Sequence, residues 1–224
     1  DVSSGLTAST TYRRITTSTL SGISCTATSN DIVVTINSIS GGTVVASQTI
    51  CSGGDPAGFT ESVASTGSGT LSYAWKHSTD SYLSSLATTN TYDVPSGLSA
   101  STNYRRVTTS TLGGITCASS SSDIVVTVNS ISGGTIAGLQ TICSGGDPAA
   151  FTEAVASTGS GSLTYQWKQS TDGYAATLAT TATYDVPSGL TATTTYRRIT
   201  ISTLGSVTCS ANSNDIVVTV QNSV

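Results

Sequence analysis

The chain has 224 residues, a formal net charge of −4, charged side chains at only 9% of positions and no methionine. Ser, Thr and Gly fill most of the polar positions, a hydroxyl-rich composition that fits secreted β proteins and speaks against a cytosolic enzyme. The basic residues are single or paired rather than clustered, which argues against a nucleic-acid-binding face, and the longest apolar runs are pieces such as IVV within Asp31–Ile36, so no segment can span a bilayer as a helix.

The chain opens on DVSSGLTASTTYRRITTSTL, and nearly the same words return at Tyr92–Leu112 and Tyr184–Leu204. Tyr12, Tyr104 and Tyr196 are 92 residues apart, as are Cys25, Cys117 and Cys209, so the chain is a tandem array without insertions. A unit of this length can close its own core, which predicts beads on a string rather than a stacked solenoid. A strand-like run ends in Ser and paired Gly at Ile36–Thr43 and again at Val128–Thr135. Cutting there gives residues 1–40 as the C-terminal part of a truncated repeat, and 41–132 and 133–224 as complete repeats. Gly41-Gly42 and Gly133-Gly134 are expected to be short linkers of limited flexibility. The 1–40 piece holds only two long strands, so its order should depend on more chain or on a neighbouring molecule.

Within one repeat, Thr43–Ile50 is rich in β-branched residues and predicts a first strand, ended by the turn cluster Gly53-Gly54-Asp55-Pro56. Gly58–Ser65 predicts a second strand. Thr70–Ser78 predicts a third, with Leu71, Tyr73 and Trp75 on one face as the core stripe. Thr79–Thr91 differs most between the two complete repeats, TDSYLSSLATTNT against TDGYAATLATTAT, and is expected to be a loop with a short edge strand. A Pro-Ser-Gly turn then leads into Thr102–Leu112. After Gly113-Gly114 comes Ile115–Ser130, with a bulge or break at SSSSD and with Ile124, Val126 and Val128 facing one way. Seven short strands in 92 residues predict an all-β fold, a tandem array of immunoglobulin-like β-sandwich repeats.

Five cysteines imply an oxidising compartment. Pairing inside each repeat, Cys51 with Cys117 and Cys143 with Cys209, leaves Cys25 unpaired and is the expected connectivity, because an early and a late strand of a sandwich can lie side by side. Pairing across repeat boundaries, Cys25 with Cys51 and Cys117 with Cys143, leaves Cys209 over instead, and spacing alone does not choose.

Tyr73 and Trp75, like Tyr165 and Trp167, form a Y-x-W strand that resembles the core Trp strand of immunoglobulin-like and PKD-like modules. The string SGL-x-A-x-T-x-Y at Ser96–Tyr104 and Ser188–Tyr196 resembles the tyrosine-corner approach of related sandwiches. T-x-Y-R-R-[IV]-T, then a Cys, then S-x-D-I-V-V-T-V is similar to the repeats of the SprB-type giant cell-surface adhesins of gliding Bacteroidota, over the whole period. That resemblance implies export by the type IX secretion system and display on a long surface filament.

The inventory for catalysis is poor, and no enzyme is expected. His77 is replaced by Gln169 in the next repeat and is expected to be an exposed strand residue, while Asp55, Glu61, Asp80, Asp93 and Asp123 lie in separate segments. The recurring Asp residues, including Asp147, Asp172, Asp185 and Asp215, would suit Ca²⁺ between extracellular modules, but they form no D-x-D cluster. They are expected instead to cap backbone amides, and no metal or other cofactor is assigned. Arg105 and Arg106 must point to opposite faces of a strand. One is expected to pair with a neighbouring Asp and the other to be solvated. Arg105 and Arg197, with the loop residues Tyr82 and Tyr174, are the candidate ligand contacts. The expected role is a structural and adhesive array at the cell surface, with neighbouring repeats and a surface polysaccharide or substratum as partners. Carbohydrate-binding repeats are the alternative, and an appendage to a secreted hydrolase is a third.

Overall fold

The computed structural model describes residues 4–222. Four strands precede the first complete repeat: β1 (Thr10–Tyr12), β2 (Ile15–Leu20), β3 (Ile23–Thr28) and β4 (Ile32–Val34). The first full period, whose opening strand lies just ahead of the expected boundary at residue 41, supplies β5 (Ile39–Ser40), β6 (Thr43–Val45), β7 (Gln48–Cys51), β8 (Thr60–Val63), β9 (Thr66–Gly67), β10 (Thr70–His77), β11 (Thr102–Leu112), β12 (Ile115–Ser120) and β13 (Ile124–Asn129). The second repeats them as β14 (Ile131–Ser132), β15 (Thr135–Ala137), β16 (Gln140–Cys143), β17 (Thr152–Val155), β18 (Thr158–Gly159), β19 (Ser162–Gln169), β20 (Thr194–Leu204), β21 (Val207–Asn212) and β22 (Ile216–Gln221). By packing the chain divides into two compact units. One comprises Asp1–Val45, Thr60–Tyr92 and Tyr104–Asp123, and the other Ala46–Phe59, Asp93–Asn103 and Ile124–Val224. The second unit holds a whole repeat and shows the sandwich in full.

There, one layer is a five-stranded sheet in the order β16-β22-β20-β19, with β21 also on β20. The long strand β20 pairs with β19 along one edge and with β22 and then β21 along the other. The opposing layer is a pair of short antiparallel ladders, β14 with β18 and β15 with β17. Ile136 and Phe151 from that layer pack on Trp167, Tyr196, Ile216 and Val218 of the sheet, with Val186 closing the side. Trp167 is central: its ring lies 5.6 Å from both Phe151 and Tyr184, and its indole N–H donates to Thr181 O at 2.9 Å. Each such aromatic or aliphatic side chain contributes about 1.5–3 kcal/mol on burial. Burial raises the Tyr184 and Tyr196 phenols above their ordinary pKa.

The alternation expected from the sequence is present. Trp75, Tyr104, Ile124, Val126 and Val128 are buried, and the predicted third strand and Thr102–Leu112 form as β10 and β11. Two expectations change and a third is narrowed. The predicted first strand is two strands, because the chain leaves one layer for the other: β15 pairs with β17, then β16 pairs in parallel with β22. The switch occurs at Gly138, whose φ is +132° and where a Cβ would meet the Phe151 ring, and at Ala46 in the preceding repeat, which holds φ +108°. Thr79–Thr91 contains no strand but a single bridge, Ala87 to Trp75. The SSSSD segment is a true break, held at Ser121 and Ser213, whose hydroxyls accept the backbone N–H of Arg106 and Arg198.

The largest departure concerns those arginines. Arg106 and Arg198 are not solvated: both are 0% exposed. Arg198 Nη1 reaches Glu153 Oε1 at 2.7 Å on β17 and Ala182 O at 2.6 Å, Nη2 reaches Gly133 O at 3.1 Å, and the guanidinium lies 5.0 Å from the Tyr165 ring centre. Arg106 makes the same set with Glu61, Asn90 O, Gly41 O and Tyr73. One cation thus joins the two layers, the variable loop and the glycine pair. Removing it leaves the Gly133 and Ala182 carbonyls and the partly exposed Glu153 carboxylate without their partner and opens a cavity between the layers, so Arg198→Ala should lower stability by about 2–4 kcal/mol in denaturant titration. Removing its half-exposed neighbour, Arg197→Ala, should cost about 1 kcal/mol or less.

Candidate functional site: the repeat joint and the tyrosine loop

The glycine pairs are tied down on every side. A Cβ on Gly133 would fall 2.2 Å from Asn212 O, and one on Gly41 2.8 Å from Ser120 O, so these glycines permit close packing rather than freedom. Just before each pair sits an asparagine. Asn129 is fully buried; its Nδ2 donates to Ser202 O at 2.9 Å and Val207 O at 3.2 Å, and its Oδ1 accepts from Ser202 Oγ at 2.7 Å. Asn37 does the same with Ser110 O, Ile115 O and Ser110 Oγ at 2.8, 3.0 and 2.7 Å. The next residues repeat as well: Ser38 bonds Ser68, and Ser130 bonds Ser160, through both backbone and hydroxyl. Each asparagine is the last position of one repeat's sheet or its sequence equivalent, and each partner is the β10–β12 or β19–β21 end of the repeat that follows. The same joint is therefore built twice, with every amide atom satisfied.

The disulfide belongs to this joint. Cys51 is bonded to Cys209, 158 residues away, while Cys25, Cys117 and Cys143 are free. The expected pairs Cys51–Cys117 and Cys143–Cys209 do not form, and neither do the alternative pairs Cys25–Cys51 and Cys117–Cys143. The reason lies in register. Cys143 stands opposite Gln221 at one end of the sheet, and Cys209 stands opposite Ser202 at the other. Counting along β20, they are separated by roughly 35 Å at the usual rise per residue, against a limit of about 7 Å between bridged Cα atoms. Cys51 and Cys117 hold the equivalent positions, opposite Asn129 and Ser110. Each repeat thus has one cysteine at its exit end and one at its entry end, and the bond joins exit to entry. Closing so long a loop contributes roughly 5 kcal/mol by chain entropy.

The four candidate ligand contacts come together in pairs. The Arg105 guanidinium lies 3.8 Å from the centre of the Tyr82 ring and pairs with Asp123 at 2.8 Å; Arg197 lies 4.0 Å from Tyr174 and pairs with Asp215 at 2.9 Å. Tyr82 Oη also donates to Asp123 at 2.9 Å. The Asp bonds, above all, raise both guanidinium pKa values further. Neither tyrosine is free at the surface, since each is half-buried on its arginine.

The loop begins with a one-turn 3-10 helix, Ser78–Asp80 or Ser170–Asp172, then turns through two left-handed residues. Asp80 accepts the backbone N–H groups of Ser84 and Leu83, which hold its carboxyl below the ordinary pKa, and Asp172 caps Ala175 and Ala176 in the same way. His77 is half-buried rather than exposed, against Tyr104 and Asp80. Among the described residues no three His, Cys, Asp or Glu side chains gather.

Sequence reasoning did not separate the buried Arg106 and Arg198 from Arg105 and Arg197. The two-residue strand period could have done so, since each shares a face with the tyrosine of the core, Tyr104 or Tyr196. At the turn, Ser81 takes φ +59° where the next repeat has Gly173 at +67°. Ser81→Gly relieves that left-handed strain and should raise stability by about 0.5–1 kcal/mol in thermal or denaturant unfolding.

Comparison with known proteins follows the repeat. The family model for a domain of unknown function, DUF8696, matches residues 40–130 and again 132–222. No curated protein matches the chain. Among solved structures, three N-terminal domains of the highly immunogenic outer capsid protein Hoc of bacteriophage RB49 align with a TM-score of 0.44 and 12% identity, over 88% of this chain and 75% of that one. Extracellular domains 3–5 of Drosophila OTK align at 0.35 and 10%, over 88% and 67%. With most of its length matched in two successive copies, the chain belongs to the DUF8696 family.

Proposed function

We propose that the chain is a non-enzymatic structural and adhesive segment of a long filament on a cell surface, in which stiff joints turn a series of small sandwiches into a strut. The supporting observation is the joint built twice, with Asn37 on Ser110 and Asn129 on Ser202 in the same geometry. A flexible tether would gain nothing from burying an amide whose every atom must then be matched. The resemblance to giant adhesins of gliding Bacteroidota extends the reading to export by the type IX system and a role in gliding. If the joint is stiff, pulsed EPR between labels at Asp55 and in the Tyr174 loop, one on each side of the Asn129–Ser202 contact, should give one narrow distance distribution. Asn129→Ala after reduction of the Cys51–Cys209 bond should broaden it severalfold, and a broad distribution in the intact protein would remove the strut reading.

Adhesion is supported by a different observation. Tyr82 and Tyr174 both hold φ values near +60°, at +62° and +65°, a conformation costly for a bulky residue, although the rest of the loop varies. Each repeat thereby keeps an aromatic ring, an arginine and a carboxylate at one surface point, the combination that suits the face and hydroxyls of a sugar, and repetition multiplies a weak contact into avidity. On a glycan array the chain should bind a surface polysaccharide, and Tyr82→Ala with Tyr174→Ala should reduce binding at least tenfold. Binding unchanged by that pair would rule out the loop as the adhesive site.

A further inference from the structure

Each buried guanidinium has one donor that the protein does not match. Arg106 Nη1 and Nη2 are engaged with Glu61, Asn90 O and Gly41 O, but its buried Nε makes no hydrogen bond to the protein. Two hydroxyls share that condition, Thr108 Oγ1 and Ser65 Oγ, on residues that are 0% and 8% exposed. The next repeat has the same three unmatched atoms at the equivalent positions: Arg198 Nε, Thr200 Oγ1 and Ser157 Oγ, on residues 0%, 0% and 8% exposed.

The two layers bring these atoms to one place. Thr108 follows Arg106 by two positions on the inward face of β11 and stands opposite Tyr73, whose ring centre lies 5.0 Å from the Arg106 guanidinium. Ser65 comes from the opposing layer, between β8 and β9. Its backbone N–H donates at 3.4 Å to Glu61 Oε1, the same oxygen that Arg106 Nη1 holds at 2.6 Å. In the second repeat Thr200 stands opposite Tyr165, whose ring centre lies 5.0 Å from Arg198, and Ser157 follows Glu153 as Ser65 follows Glu61. Buried polar groups in proteins are as a rule hydrogen-bonded, to protein or to water, and an internal water typically takes about three such partners.

We infer that each repeat binds one internal water molecule between its layers, held by Arg106 Nε, Thr108 Oγ1 and Ser65 Oγ in the first and by Arg198 Nε, Thr200 Oγ1 and Ser157 Oγ in the second. The water oxygen accepts the arginine Nε–H, and its two protons go to the two hydroxyl oxygens, so each of the three atoms gains a partner. Glu61 and Glu153 already pair with the guanidinium groups, which selects a neutral ligand over an anion such as chloride. Short side chains at both hydroxyl positions suit a ligand of that size. The arginine then reaches the opposing layer twice, directly through the glutamate and by way of the water through the serine.

The test is a crystal structure of the intact chain at atomic resolution, together with unfolding of isosteric variants. One water is expected in each repeat, roughly 3 Å from the arginine Nε and from both hydroxyl oxygens. Thr108→Val with Thr200→Val should empty both positions and raise the unfolding equilibrium constant about fivefold in denaturant titration, whereas Thr108→Ser with Thr200→Ser should keep both waters. If the hydroxyls have no partner, the valine pair removes a penalty and the constant falls instead. A constant that falls or stays the same, no density between the three atoms, or an anomalous peak there after a bromide soak would each overturn the inference. Should the valine pair not fold, oxygen-17 relaxation dispersion of the unaltered chain decides: long-lived internal waters are expected, and their absence would also overturn it.

Discussion

The structure depends on a cation placed where bulk water does not reach. Arg198 and Arg106 are fully buried between the two layers of the sandwich, and each is paired with a partly exposed glutamate from the opposite layer. A buried ion pair contributes little net stability compared with a well-packed apolar pair, but it tolerates only one arrangement of its partners. Here the partners are a strand of the second layer, the loop after the tryptophan strand, and the backbone of the glycine pair. Small cores in repeats of this size leave much of the register undetermined by packing. The arginine adds a constraint, because its Nη1 and Nη2 meet partners from all three at once.

From that constraint the joint follows. Holding the Gly133 carbonyl fixes where the chain enters its second repeat, and this in turn brings Asn129 against Ser202 and Val207. Once those groups meet, Cys51 and Cys209 lie within bonding distance, with Cα atoms 5.6 Å apart. Arginine, glycine pair, asparagine and disulfide thus follow one another along the same end of the sheet. The aromatic stack around Trp167 supplies most of the burial energy, and the arginine decides which end of the sheet faces which neighbour.

Much of this was legible in the residues. The period, the all-β class, the tryptophan stripe and the alternating Ile124, Val126 and Val128 all rest on local pattern, and local pattern survives folding. What was not legible is long-range. Arg105 and Arg106 are adjacent and identical, so only the facing of one strand separates a surface ion pair from a buried one. The cysteine pairing failed for a related reason: proximity in a generic sandwich was assumed, whereas the register along β20 and β22 sets the two cysteines of a repeat at opposite ends. Gly41-Gly42 and Gly133-Gly134 read as short linkers of limited flexibility, and a sequence does not reveal that the backbone carbonyl of Asn212, or of Ser120, occupies the space a Cβ would need.

The bond from Cys51 to Cys209 also decides what happens when the ends are pulled. Tension entering at one end crosses at the sulfur bridge and leaves from the other, so the 158-residue stretch between the two cysteines carries none of it. At about 3.4 Å per residue, roughly 500 Å of contour is thereby withheld from extension even if the enclosed strands come apart. Where successive loops of this kind overlap, no repeat would lie outside a bridged stretch. A filament assembled in this way would yield at its sulfur bonds before it lengthened by unfolding, behaving under load as an inextensible cord rather than as a spring.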